Sequence, residues 1–540
     1  MCQSPPAAPA RPAAPRAEAE AHQAGKAKRF PLTLRASDKN AVQRTPTPVP
    51  LISRLRRAGL TLTLLAATGI AGAAPASAVE VLLLRLPLLE DRLSARVSEL
   101  SSPDSLWAGS SDLAELNRAT DGHFAGAIQD LVNYPLPQQD FQNSPMVQQI
   151  EVLLKQLIEV DAGGADIGNE PVRGALGRLK ASGQQATLLN LLREVPGQRV
   201  TIRLDRAVPM LRRFKGQQLE LDQLLLSLPK LPGASGANLA QGPFAVQSRV
   251  VTLPEPYTHE SIEVTTVLPA GAPTLAPVVI SHGLWDSPTS FLGWARFLAS
   301  HGAPVFLPRH PGSDISQQAD MLAGRSAPPD PKEFLRRPLD VRAVLDALDA
   351  GGVPGAESIR ARGVTFIGHS WGGTTALQLA GARSVPAPLW KDCARAGSPL
   401  RNISWVLQCS FLPAATDSSM ADPRVVRVAA ISPPQALVFA AGLNSLRVPV
   451  LVVSGSRDFV VPSRPEALLP FGDYPKGHNA LVVAEGGTHF NLPADAASNG
   501  GPLRALLLRW ARDQDLSATS AVADPQGLPM RWVPLRPVHR

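Results

Sequence analysis

Val364-Thr365-Phe366-Ile367-Gly368-His369-Ser370-Trp371-Gly372-Gly373 is the stretch that decides how this chain folds. Its first four residues are apolar or β-branched, as in a short buried strand. A helical pattern begins near Gly373 and runs from Thr374 to Ala382. A bare G-x-S-x-G pattern arises by chance about once per several chains of this length. Here a strand precedes it and a helix follows, which is the arrangement of a nucleophile elbow. The turn must be tight and strained, and a Cβ on either flanking position would clash. Ser370 Oγ would then project from the carboxyl edge of a sheet beside a helix N-terminus, which favours negative charge developing nearby. The competing reading is a plain structural turn.

A serine hydroxyl is a poor nucleophile alone. It needs a base, and the base needs an orienting carboxylate. Both follow Ser370 in the order such a sheet requires, acid then histidine. Asp458 lies in Ser454-Gly455-Ser456-Arg457-Asp458, just past the apolar run Val450 to Val453. His489 lies in Glu485-Gly486-Gly487-Thr488-His489-Phe490, just past Ala480 to Val483. Both are thus expected at strand carboxyl ends, where an open α/β sheet places its ligand site. His478 competes with His489, but it precedes its strand and belongs to the wrong edge. Glu485 and Asp473 are less well placed than Asp458. An oxyanion hole needs two aimed backbone N–H donors. The expected donors are Trp371, which follows the nucleophile, and Leu284, in the loop Ser281-His282-Gly283-Leu284-Trp285 after the apolar run Val278-Val279-Ile280.

Other residues read blandly. His369 packs or hydrogen-bonds within the elbow. His310-Pro311-Gly312-Ser313 follows the run at 305 and lines the pocket mouth or simply turns. Trp285 and Trp294 read as core or pocket wall, and Arg337-Pro338-Leu339-Asp340-Val341 begins a helix of ordinary apolar spacing. No Gly-rich phosphate loop, dinucleotide fingerprint or zinc spacing stands where one is needed, so neither cofactor nor metal is expected.

Around these residues the chain alternates. Ala245 to Leu253 and Ser261 to Leu268 read as a leading hairpin or meander. Short apolar runs follow at Val278, Val305, Val364, Val425, Val450 and Ala480. Helical stretches separate them, including Pro288 to Ser300 and Pro331 to Leu348, and Pro502 to Asp513 supplies a last helix. The expected class is α/β, a mostly parallel sheet with helices on both faces, over residues 240–515. The irregular insertion 383–424 is expected, by analogy, to form a lid. The tail 516–540 is expected to be irregular. Residues 79–235 read as a small, mainly helical domain with one or two strands. Its helices are expected at Met146 to Val160 and Pro171 to Leu192, and its strand at Val200 to Leu204. A turn-rich linker, Leu231 to Gly236, closes it.

The net charge of +8 is not a polyanion-binding signal. Residues 1–78 carry 11 Lys/Arg against 3 Asp/Glu, and the remainder balances at 42 of each. A nucleic-acid partner is therefore not expected. Arg54, Arg56 and Arg57, the apolar run Ala58 to Ala74 and Ala76-Ser77-Ala78 form the pattern of a secretory signal peptide over 51–78. The alternative is an uncleaved anchor, which would bring the N-terminal segment to a membrane surface. Residues 1–50, rich in Pro and Ala, read as a disordered leader or a misassigned start. After cleavage Cys393 and Cys409 remain, 16 residues apart, and an exported chain is expected to pair them. Two buried thiols are the alternative.

Ordered Ser370, Asp458 and His489, with His282-Gly283 upstream, resemble the α/β-hydrolase superfamily over about residues 245–513. Gly368 to Gly373, His310 to Ser313 and Arg337 to Val341 are together similar to its dienelactone-hydrolase and platelet-activating-factor-acetylhydrolase-like branch. The signal peptide, Glu80-Val81-Leu82-Leu83-Leu84-Arg85 and the following helical segment resemble exported hydrolases of photosynthetic bacteria that carry an N-terminal domain of unknown function. The resemblance implies hydrolysis of short-chain or lipid carboxylic esters through an acyl-serine, in a periplasmic or extracellular protein. Two features depart from it. Trp371 stands where acetylhydrolases more often have Phe, and the usual dienelactone hydrolase has a Cys nucleophile. An amidase, peptidase or thioesterase would use the same triad. A non-catalytic binding protein would need a broken one. Oligomeric state is left open.

Overall fold

The computed structural model describes residues 78–85, 92–133, 144–161, 170–257, 260–384, 390–395, 401–416, 419–512, 516–517 and 521–534. The expected leader and all but the last residue of the expected signal peptide lie outside the described residues. Everything described belongs to one compact unit, Ala73–Arg540. Among the described residues no helix is long and apolar enough to cross a membrane.

The first part of the chain holds more strand than its sequence suggests. Four short strands, β1 (Val81–Arg85), β2 (Arg92–Arg96), β3 (Ile158–Asp161) and β4 (Arg199–Arg203), form a sheet of order β2-β1-β4-β3. β1 and β4 are parallel and the outer pairs antiparallel. The Leu run of β1 suits a helix equally well, and β2 has no β-branched residue, so pairing partners decide these strands more than propensity does. The expected helix from Met146 ends at Leu157, where Ile158 and Val160 pass into β3. The helix expected over 171–192 is two, Glu170–Ser182 and Leu188–Glu194. Gly183, at φ +69°, stops the first in the left-handed conformation common just past a helix end. Val97, Leu100, Val160, Leu189 and Val200 pack as a core of their own. The long helix Leu204–Ser227 leaves it, burying Leu221 and Leu225, with Leu228 just beyond, in the larger core.

Among the described residues the larger sheet has nine strands. β5 (Val246–Glu255) and β6 (Glu260–Pro269) form the expected antiparallel hairpin. β7 (Val278–Ser281), β8 (Val305–Pro308), β9 (Val364–His369), β10 (Val425–Ile431), β11 (Val450–Gly455) and β12 (Ala480–Ala484) are mutually parallel. β13 (Met530–Val533) closes the far edge antiparallel to β12, in the tail expected to be irregular. The order is β13-β12-β11-β10-β9-β7-β8-β6-β5.

Helices bury both faces, so the parallel strands read as unbroken apolar runs. Side chains alternate across the sheet. Val279, Phe366, Val428 and Val452 join one core with Val341, Val344 and Leu348 of the helix Glu333–Asp349. Their strand neighbours Ile280, Ile367, Ala429 and Val453 join the other, with Phe297 and Leu298 of the helix Leu292–Ser300 and Leu506 of Arg504–Ala511. Each fully buried Val, Leu or Ile stabilises the fold by about 1.5–3 kcal/mol, which pins the register.

Topology picks out one edge position. From β7 the chain steps outward to β8, then returns to β9 on β7's other side, with Ser281 opposite Gly368. The carboxyl ends of β7 and β9 therefore flank the switch point, where open α/β sheets bind ligands.

Candidate active site

Ser370 sits in the turn between β9 and the helix Trp371–Leu379, at φ +53° and ψ −121°. Such a conformation costs a non-Gly residue on the order of 1–3 kcal/mol and persists only where surroundings enforce it. The enforcing contacts are local. The Ser370 N–H donates to the Ile431 carbonyl on β10 at 2.8 Å, and the Ser370 carbonyl accepts from Gly373 N–H at 2.8 Å. A Cβ on Gly368 would stand 1.9 Å from the Gly372 carbonyl oxygen, and one on Gly372 would stand 2.2 Å from that of Ser281. The pentapeptide thus needs both glycines for close backbone approach.

Asp458 and His489 arrive from the loops after β11 and β12 and meet. His489 Nδ1 lies 2.8 Å from Asp458 Oδ2. The other carboxylate oxygen accepts the N–H groups of Val460 and Val461 at 2.9 and 2.8 Å, so both oxygens have partners. His489 and Ser370 line the same cleft, about 500 Å3 in volume, with Leu284, Trp285, His369 and Phe490. Asp286 and Asp495 place two carboxylates on its wall. The His369 ring stands 4.7 Å from the His489 ring. Burial, then the neighbouring His489, push its pKa well down, so it stays neutral.

Of the two expected oxyanion donors, Trp371 opens its helix, where an N–H has no intrahelical acceptor. Its ring is buried against Phe411, 4.4 Å between centroids. Leu284 lines the cleft with Ser370, and a Cβ on its neighbour Gly283 would stand 3.1 Å from Ser370 Cβ.

The competing residues fall elsewhere. His478 lies ahead of β12, at the opposite end of that strand from His489. Glu485 pairs with Arg531. Asp473 lines a separate cavity of about 860 Å3, bounded by Trp405, Leu437 and the helix Leu204–Ser227, which shares no lining residue with the cleft. That cavity is the larger, yet Ser370 and His489 both line the smaller cleft. Among the described residues, no three His, Cys, Asp or Glu side chains gather to hold a metal ion.

Residues 278–499, from β7 to the loop beyond His489, match the model of the alpha/beta hydrolase family. With the sheet order and the strained serine turn, that match decides the architecture. The fold is that of an α/β-hydrolase. No curated protein matches the chain. A hydrolase fold of this family supports a hydrolytic function in general terms.

Two residues of this candidate site were not singled out in the sequence. Phe490, 71% exposed, and Phe459, 51% exposed, follow His489 and Asp458 directly, with ring centroids 6.4 Å apart. Two exposed aromatics, each next to a candidate catalytic residue, were a readable signal. Within the insertion 383–424, residues 385–389, 396–400 and 417–418 lie outside the described residues. Its helices Trp390–Cys393 and Ser404–Phe411 are joined by the Cys393–Cys409 disulfide, and none of its described residues lines the cleft. His310 forms a turn, its carbonyl accepting from Ser313 N–H, with its side chain fully buried rather than at the pocket mouth.

Proposed function

We propose that this protein is a serine hydrolase that cleaves carboxylic esters through an acyl-Ser370 intermediate. One observation carries the proposal: the strained Ser370 turn opens into the same cleft as His489, whose Nδ1 is bonded to buried Asp458. Ser370 Oγ attacks the acyl carbon while its proton passes to His489 Nε2. Asp458 holds the Nδ1–H and stabilises the imidazolium. The oxyanion takes hydrogen bonds from Trp371 and Leu284 N–H. The ester C–O bond then breaks, and the leaving alcohol takes the proton from His489. Water, deprotonated by His489, releases the acid and restores Ser370.

A cleft with apolar Leu284, Trp285 and Phe490 on its wall and carboxylates at Asp286 and Asp495 favours neutral esters over carboxylate-bearing ones. Short-chain and lipid esters are the proposed class, in keeping with the resemblance to the acetylhydrolase-like branch. Export is part of the proposal. It is supported by the Arg54 to Ala78 pattern and by a disulfide that an oxidising compartment would preserve. N-terminal sequencing of exported protein should begin at Val79.

Fluorophosphonate labelling tests the core claim. Wild type should label and Ser370→Ala should not; equal labelling of the two sinks the assignment. A panel of p-nitrophenyl esters, anilides and thioesters then ranks the leaving groups, with esters expected fastest.

A further inference from the structure

Two sequence motifs without a part in the proton transfer, His310 to Ser313 and Arg337 to Asp340, meet directly behind the loop Ser281-His282-Gly283-Leu284. Arg337 is wholly buried. Its Nη1 donates to the His282 carbonyl at 2.6 Å, and its Nη2 to the Gly283 carbonyl at 3.0 Å. Its Nε donates to Ser313 Oγ at 3.0 Å, and Ser313 in turn donates to Glu333 at 2.8 Å. His282 Nε2 accepts the His310 backbone N–H at 3.1 Å. Its proton therefore sits on Nδ1, which donates to the Gly283 carbonyl at 2.8 Å. The His310 ring reaches Ser281 Oγ at 2.9 Å and Asp340 at 2.6 Å. Burial draws the Arg337 pKa down to about 10, which leaves it charged near neutrality. Burial, then Arg337, hold both His282 and His310 well below their ordinary value. The fixed positive charge behind the loop is thus the guanidinium.

A trans peptide points its C=O and N–H in opposite directions. Two donors hold the Gly283 carbonyl on the Arg337 side, so the Leu284 N–H must point away from it. Gly283 and Leu284 face the cleft with Ser370. We propose that Arg337 is a positioning residue: it clamps two successive carbonyls so that the Leu284 N–H is preset for the oxyanion that forms at Ser370. This inference rests on the ester-hydrolase reading. A lysine cannot replace the clamp, because one ammonium lacks the planar fork that spans both carbonyls and Ser313.

The test compares wild type with Arg337→Lys, Arg337→Met and the milder Ser313→Ala. Active sites are counted by fluorophosphonate titration taken to completion, and kcat is expressed per titrated site. Loss of one oxyanion donor costs about 100–1000-fold, so Arg337→Lys should lose on the order of 100-fold in kcat and Ser313→Ala about 3–10-fold. KM should stay within about twofold, while affinity for a trifluoromethyl ketone, which forms an oxyanion on the serine, should fall in step with kcat. If Arg337 serves only folding, fewer sites titrate but each turns over at the wild-type rate, and the proposal is overturned. Should both Arg337 variants fail to fold, Ser313→Ala decides on the same readouts. Hydrogen exchange across residues 281–286 needs no substrate. Faster exchange in the variants supports the clamp and unchanged exchange overturns it. A wild type inert to fluorophosphonate would instead overturn the ester-hydrolase reading.

Discussion

His489 Nδ1 and Asp458 Oδ2 are 2.8 Å apart, and both residues are buried. An ionised carboxylate can only accept, so this bond puts the imidazole proton on Nδ1 and leaves the Nε2 lone pair as the base. In Asp458→Asn the amide can donate to Nδ1 and favour the wrong tautomer. The expected loss in kcat is on the order of 10,000-fold at near-normal KM and thermal stability. Steady-state kinetics beside a melting curve check it. A loss under tenfold would move the orienting role to another carboxylate.

Phe490 stands beside His489 with most of its ring in solvent. An exposed aromatic at a cleft mouth gains when it covers an apolar chain, by roughly 1–1.5 kcal/mol. Phe490→Ala should therefore raise KM for octanoyl esters about 5–10-fold, leave acetyl esters within twofold, and spare kcat. Equal effects on both chain lengths would place Phe490 outside the acyl path.

Acid should destabilise the fold before it protonates most carboxylates. Burial, then Arg337 for His282 and His489 for His369, push these two imidazoles well below the ordinary histidine value. Unfolded, both take up protons near pH 6.5, so their stability is present above that pH and is lost as pH falls beneath it. Two protons correspond to about 3 kcal/mol per pH unit. Burial also lowers His310 and raises the Asp340 carboxyl bonded to it, two shifts that act in opposite senses on stability as pH falls. Urea midpoints at pH 7, 6 and 5.5 measure the slope, to which His301, also lowered by burial and then Arg512, adds. His369→Gln should reduce it by up to about 1.4 kcal/mol per pH unit. A midpoint that is flat over that range would contradict neutral buried imidazoles.

The Cys393–Cys409 bond ties the helix Trp390–Cys393 to Ser404–Phe411, whose Phe411 packs on Trp371 next to Ser370. Its loop of 16 residues predicts about 2–4 kcal/mol of stabilisation. The Cys393→Ser/Cys409→Ser double variant should lower the urea midpoint accordingly, and dithiothreitol should do the same to wild type alone.

What the sequence revealed follows burial. Val364 to Ile367 and Val450 to Val453 are covered on both faces, so their runs are unbroken and the elbow between β9 and its helix could be placed. β1, β2 and β13 are four or five residues each. β1 and β13 are secured by β4 and β12, which lie far from them along the chain, and β2, paired with nearby β1, has no β-branched residue, so local patterning registers none of the three. Asp458 and His489 were legible because strand order dictates where they stand. Arg337 was not: its helix spacing is ordinary, and its role exists only once the loop after β7 comes to rest against it.

β13 has one more consequence. It lies between β12 and the segment before the larger sheet: Trp532 N–H reaches the Pro229 carbonyl at 3.0 Å and Leu231 N–H the Met530 carbonyl at 2.9 Å. The last strand therefore caps an edge, and a stretch holding Pro229 and Pro232, which cannot donate, covers the cap. A chain ending near residue 515 would keep the cleft and the β11 pairing but leave the outer edge of Ala-Leu-Val-Val-Ala in β12 bare, an apolar template for self-association.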